Sequence, residues 1–99
     1  MAVLETFNPA YTQGTTISVS TTSAAAVRGL GAKSLCLSNL GTVTVYVRVS
    51  QGTIAATTAD YPVLAGTQVT ITKDEAHDTV SAITASSTSS LHVIPGEGF

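Results

Sequence analysis

Basic residues are scarce in this sequence. Arg28, Lys33, Arg48 and Lys73 are the whole set, scattered along the chain, and the net charge is −2. Nucleic-acid binding needs several phosphates neutralised by clustered Lys and Arg, so no nucleic-acid partner is expected. The basic–aromatic interleaving of single-strand binders is missing too. Cysteine occurs once, as Cys36, so an intrachain disulfide is excluded. Within Leu35-Cys36-Leu37 it reads as a small buried or half-buried hydrophobe rather than a reactive thiol. There are five aromatic residues and no Trp, so large apolar side chains are few. No run approaches the roughly 18 apolar residues of a membrane span. The opening stretch MAVLETFNPAY lacks the basic start and apolar run of a secretory signal, and the expectation is synthesis and folding in a cytoplasm.

Ser and Thr together supply 28 residues against ten charged ones. β-branched residues with little charge favour strands over helices. The mean hydropathy is positive, at +0.35, which is not the composition of a disordered chain. It is also poorer in charge than the surface of a freely soluble monomer. A 99-residue chain makes one domain and buries only about 60–65% of its unfolded surface. Part of its surface is therefore expected to be covered in the working state.

Residues 1–14 read as an N-terminal arm and residues 15–99 as a single β domain. Asn8-Pro9 and Gly14 punctuate the arm, whose bulky groups are Phe7 and Tyr11. Polar–apolar alternation marks strands at residues 15–20, 33–38, 42–49 and 67–72. The clearest is 42–49, with Val43, Val45, Val47 and Val49 on one face. Asn39-Leu40-Gly41 reads as the short loop of a hairpin joining 33–38 to 42–49. Residues 21–26 read as a loop or weak helical turn, and 51–59 as the longest loop. Pro62 makes 60–64 an edge strand, because proline has no ladder donor. Residues 77–85 and 90–94 supply further strands, followed by a Pro/Gly-rich tail. Six to eight short strands with turn signals every 8–12 residues predict an all-β antiparallel sandwich, jelly-roll-like or immunoglobulin-like.

The residues with most chemistry are Asp74, Glu75, His77 and Asp78. A calcium loop needs six or more oxygens around a central glycine, and a zinc site needs three or four ligands from two segments. This patch has one His and reads as a solvated charged turn. His92, between Leu91 and Val93, reads as a surface or interface residue. Residues 29–34 (GLGAKS) superficially resemble a phosphate loop, but no glycine directly precedes the lysine and no helix pattern follows. A Gly-x-Ser-x-Gly elbow is absent. No catalytic residue, cofactor or metal is assigned, and the chain reads as a protein without enzyme activity.

Three segments go beyond a generic β domain: residues 37–48 (LSNLGTVTVYVR), 58–67 (TADYPVLAGT) and 91–99 (LHVIPGEGF). Together they resemble small virion structural proteins of tailed bacteriophages, closest to the capsid decoration, or cement, type. The resemblance covers roughly residues 33–99. It implies a sandwich on the outer capsid surface that bridges major capsid proteins and stabilises the shell. The partners it implies are the major capsid protein and the chain itself, as a dimer or trimer. Alternatives are a tail, connector or fibre component of such a particle, or a carbohydrate- or cell-surface-binding module. Aromatic anchors dominate interfaces when they fill pockets. On that ground Phe7, Tyr11 and Phe99, on the arm and the tail, are the expected partner-binding residues.

Overall fold

The computed structural model describes residues 8–9, 14–27, 33–73 and 76–97. These form nine strands: β1 (Asn8–Pro9), β2 (Thr15–Val19), β3 (Ala24–Val27), β4 (Ser34–Asn39), β5 (Val45–Ser50), β6 (Tyr61–Val63), β7 (Gln68–Thr72), β8 (Thr79–Thr84) and β9 (Ser89–Glu97). No helix occurs among the described residues. The strands pair antiparallel in two sheets. The first has the order β2-β9-β4-β7, with β1 paired to the far end of β9; the second is β3-β8-β5-β6.

The pairing distinguishes the two sandwich types expected from the sequence. β2 lies against β9, β3 against β8, β4 against β7 and β5 against β6. The chain is thus a long two-stranded ribbon wrapped around itself. The contacts β4–β9 and β5–β8 then seal each sheet. That connectivity is the jelly roll.

Alternation along each strand decides what lies between the sheets. Ile17, Val19, Leu35, Leu37, Val45, Val47, Val63, Val80, Ala82, Leu91 and Val93 form one buried cluster. Fully burying a Val, Leu or Ile stabilises by about 1.5–3 kcal/mol, so this aliphatic set is the main force holding the sheets together. Cys36 is buried as its flanking leucines suggested.

Two local expectations are overturned. Residues 21–26 are not a loop or helical turn throughout, since β3 (Ala24–Val27) pairs with β8. A small Ala-rich stretch is too short to nucleate a helix, and β8 offers it a ladder instead. Asn39-Leu40-Gly41 is not a hairpin loop, because β4 and β5 lie in different sheets. The segment is an arch crossing the sandwich. Alternation fixes which side chains point inward but not whether consecutive strands share a sheet. Asp60-Pro62 behaves as expected: β6 is the edge of its sheet, with Pro62 opposite Tyr46.

β9 runs through Pro95, although it is an interior strand. The β2 register ends at Thr15↔Val93 and that of β1 begins at Pro9↔Gly96. Among the described residues, nothing on that flank registers opposite Pro95.

Candidate docking surface

Wrapping the ribbon sends four linkers to the same end of the sandwich: residues 20–23, 40–44, 64–67 and 85–88. None of them contains a charged residue. The opposite end receives residue 33, the linker 51–60, residues 73 and 76–78 and the end of β9, and there the charges gather: Lys33, Lys73, Asp78 and Asp60 among the described residues. Two leucines project from the charge-free end, Leu40 at 64% exposure and Leu64 at 59%. Exposed leucines are ordinary singly. Here they sit on adjacent linkers, tied by a hydrogen bond from the Gly66 N–H to the Asn39 carbonyl.

The side chain that builds this end is Asn39, only 2% exposed. Its Nδ2 donates to the Val43 carbonyl (2.8 Å) and the Val63 carbonyl (2.9 Å). Its Oδ1 accepts from the Gly41 N–H (3.0 Å) and the Ser89 hydroxyl (2.7 Å). One amide therefore ties the β4–β5 arch, the end of β6 and the start of β9. All four of its hydrogen-bonding capacities are met inside the protein. The backbone adds bonds from Asn39 N to the Thr67 carbonyl and from Leu40 N to the Ser90 carbonyl. Gly41 is required by the crowding. A β-carbon there would meet the Ser89 side chain and stand 3.0 Å from the Ser89 Cα.

The other linkers are equally self-satisfied. The Thr67 N–H donates to the Leu64 carbonyl across a turn in which Gly66 takes a φ of 70°, a conformation favouring glycine. Thr84 Oγ1 donates to the Ser87 carbonyl, and Ser20 Oγ accepts from the Thr22 N–H. Between the β4–β5 and β8–β9 linkers lies an open groove of about 500 Å³, edged by Ser18, Ser20, Thr42, Thr88 and Ser90. The resulting surface is rigidly held, uncharged, rich in hydroxyls and topped by two leucines.

The expected partner-binding residues Phe7, Tyr11 and Phe99 lie outside the described residues, as do Asp74 and Glu75. Asn8-Pro9 of the arm lies along the end of β9. Asp78 serves as a structural brace, its carboxylate accepting from the Gly52 N–H (3.2 Å) and the Thr79 hydroxyl (3.0 Å). Those bonds, led by the Gly52 N–H, hold its pKa below the ordinary value of 3.8. His77 is half-buried. His92 lies on the outer face of the first sheet, its Nδ1 3.1 Å from Thr16 Oγ1. Among the described residues, no three His, Cys, Asp or Glu side chains cluster as metal ligands would.

The sequence reasoning missed Leu40, Leu64 and Asn39. A signal was present: the ten charged residues avoid every one of the four linkers. That avoidance has spatial meaning only once the jelly roll is known to bring these linkers together.

No family model and no curated protein matches the chain. Among solved structures, a chain of the Bacillus endospore appendages, described as a novel family of disulfide-linked pili, aligns over 97% of this chain and 93% of its own. The sequence identity is 17% and the TM-score 0.46.

Proposed function

We propose that the chain is a non-enzymatic structural subunit of the capsid decoration type, docking on the outer surface of a phage shell and bridging major capsid proteins. The observation that carries this reading is the charge-free end with Leu40 and Leu64 exposed. Burying an ionised group in an interface requires stripping its water, which often exceeds what pairing returns. An end without charges avoids that cost. Its linkers are already fixed by internal hydrogen bonds, so little ordering entropy is lost on docking. Many such contacts on a repetitive lattice give strong retention even when each one is weak. A subunit that binds the assembled shell better than its parts stabilises the shell by mass action alone.

The test is addition of the purified chain to shells assembled from the major capsid protein alone. Saturable binding at micromolar concentration and a raised shell melting temperature are expected. The double variant Leu40→Asp/Leu64→Asp should bind at least about tenfold more weakly, since burying each leucine accounts for about 1.5 kcal/mol or more. Its own unfolding should stay within about 0.5 kcal/mol of the parent, because both side chains are exposed. Absence of binding by the parent chain, or a double variant that binds as well as the parent, overturns the reading. Copy number separates it from a tail or connector role. Decoration requires copies comparable to those of the major capsid protein.

A further inference from the structure

The geometry points to β7 as a self-pairing edge, through which two copies of this chain join their first sheets antiparallel about a two-fold axis at Thr70. The inference goes beyond the docking reading and stands whether or not the chain binds a shell.

Sheet edges are usually blunted, because their unpaired N–H and C=O groups invite a further strand. Two edges lie on this side of the sandwich, and they are treated differently. β6 is three residues long with Pro62 at its centre, so it has no N–H to offer there. β7 reads Gln68-Val69-Thr70-Ile71-Thr72, without charge, proline or glycine. Four of its five residues, Val69, Thr70, Ile71 and Thr72, are β-branched. Among the described residues only β4 pairs with it.

The register fixes which groups are available. The Asn39 N–H donates to the Thr67 carbonyl and the Lys73 N–H to the Lys33 carbonyl, both at 2.9 Å. These bonds flank the ladder Ser34↔Thr72 to Ser38↔Gln68. In an antiparallel ladder bonding direction alternates along the strand. Residues 67, 69, 71 and 73 therefore turn their backbone groups to β4, and Gln68, Thr70 and Thr72 turn theirs outward. A two-fold axis at Thr70 sets Thr70 opposite its symmetry mate and Gln68 opposite Thr72 of the second copy. Each is a pair of the type that exchanges both N–H···O bonds. The edge is its own complement, as an isologous dimer requires.

The side chains agree. Val69 and Ile71 pack against the core yet remain only half-buried at this edge. The same axis sets Val69 beside Ile71 of the second copy, extending the apolar layer across the join. On the outer face the pairs are Thr with Thr and Gln with Thr, so no like charges meet.

The chain should sediment as a dimer in analytical ultracentrifugation. Thr70→Pro removes the outward N–H without touching a bond to β4, and Thr70→Lys places two cations opposite each other at the axis. Both should shift the dimer to monomer at least about tenfold in dissociation constant, while far-UV circular dichroism and thermal unfolding report a retained sandwich. Thr70→Cys, made together with Cys36→Ser because Cys36 lies directly opposite Thr70 on β4, supplies a positive readout. Cα atoms in such a pair stand about 5.5 Å apart, within disulfide range, so oxidation should give a reducible covalent dimer. A parent chain that is monomeric at about 100 μM or that forms trimers overturns the proposal. So does a dimer that survives both Thr70→Pro and Thr70→Lys. Shell binding by the monomeric variants is measured separately, so failure of the edge and failure of the docking end are told apart.

Discussion

The two ends of the sandwich are built by opposite rules. At one end four short linkers carry no charge, cross-brace through Asn39 and show two leucines to solvent. At the other the linkers are longer and charged, and one of them folds back as a strap. Residues 51–60 cover the outer face of the second sheet: Ala56 N donates to Ser23 Oγ beside β3, and Asp60 binds Arg48 of β5. Under this cover Ala56 and Ser81 are buried, although Ser81 points away from the core. The charged end covers its own sheet with its own chain, although the buried Ser81 Oγ has no hydrogen-bond partner. The uncharged end leaves apolar surface open while its hydrogen bonds go to rigidity. A hydrogen-bonded, uncharged surface is suited to burial by something else, and a charged, solvated one to facing water.

If the rigidity of the uncharged end depends on one amide, its loss should be the largest effect. Asn39→Ala strands the Ser89 hydroxyl, the Gly41 N–H and two carbonyls in a buried site. Each unsatisfied group costs about 1–3 kcal/mol, partly relieved by water, so a loss of about 3–5 kcal/mol is expected in urea unfolding. Asn39→Asp is a sharper probe, because it keeps the acceptor and replaces the donor facing Val43 and Val63 with a buried acid. A variant within about 1 kcal/mol of the parent would remove Asn39 from its bracing role.

Gly41→Ala comes next. The added methyl meets Ser89, whose Cα is 3.0 Å away and whose position is fixed by the ladder to β2. The arch or the start of β9 must shift, and overpacking of this kind costs about 1–3 kcal/mol. By contrast, Gly66→Ala is strained by its φ of 70° with open space around it, so it should cost about 1 kcal/mol without moving neighbours. Equal losses with unchanged Ser89 amide shifts by NMR would deny that Gly41 is set by crowding.

Much of this architecture was legible beforehand. The strands of the Val45-Val47 and Leu35-Leu37 type announce themselves by alternation, and Pro62 marks its edge. The hairpin reading of Asn39-Leu40-Gly41 failed for a definite reason. A turn residue before an alternating strand is compatible with a hairpin or an inter-sheet arch. What decides is a set of partners at Val63 and Ser89, 24 and 50 residues away. The Ala-rich β3 was hidden because small residues carry no period. The charge-free end was illegible for the same reason as the arch, since its four linkers meet only through long-range pairing.

The smallest effect tests the charged end. Arg48 binds Asp60 through Nε (3.2 Å) and Nη2 (2.9 Å), and the Thr57 N–H adds a bond of 2.7 Å to the same carboxylate. The Arg48 bonds first, then the Thr57 N–H, hold the Asp60 pKa below its ordinary 3.8, as the Gly52 N–H does for Asp78. A depressed folded-state pKa stabilises the strap above the unfolded value and loses that contribution as pH falls through the folded one. The strap should therefore stay closed at pH 5 and open below about pH 3.8, ahead of the sandwich, because both sheets are held by aliphatic burial that does not titrate. Hydrogen exchange of the Thr57 and Gly52 amides, followed from pH 5 downward against those of β4 and β9, measures this directly. Asp60→Asn should open the strap already at pH 7 and leave the Asn39 bonds of the charge-free end unchanged, Ser23 there losing only its bond from Ala56 N. Loss of β4 and β9 protection together with the strap would mean that the two ends are one cooperative unit rather than two differently built ones.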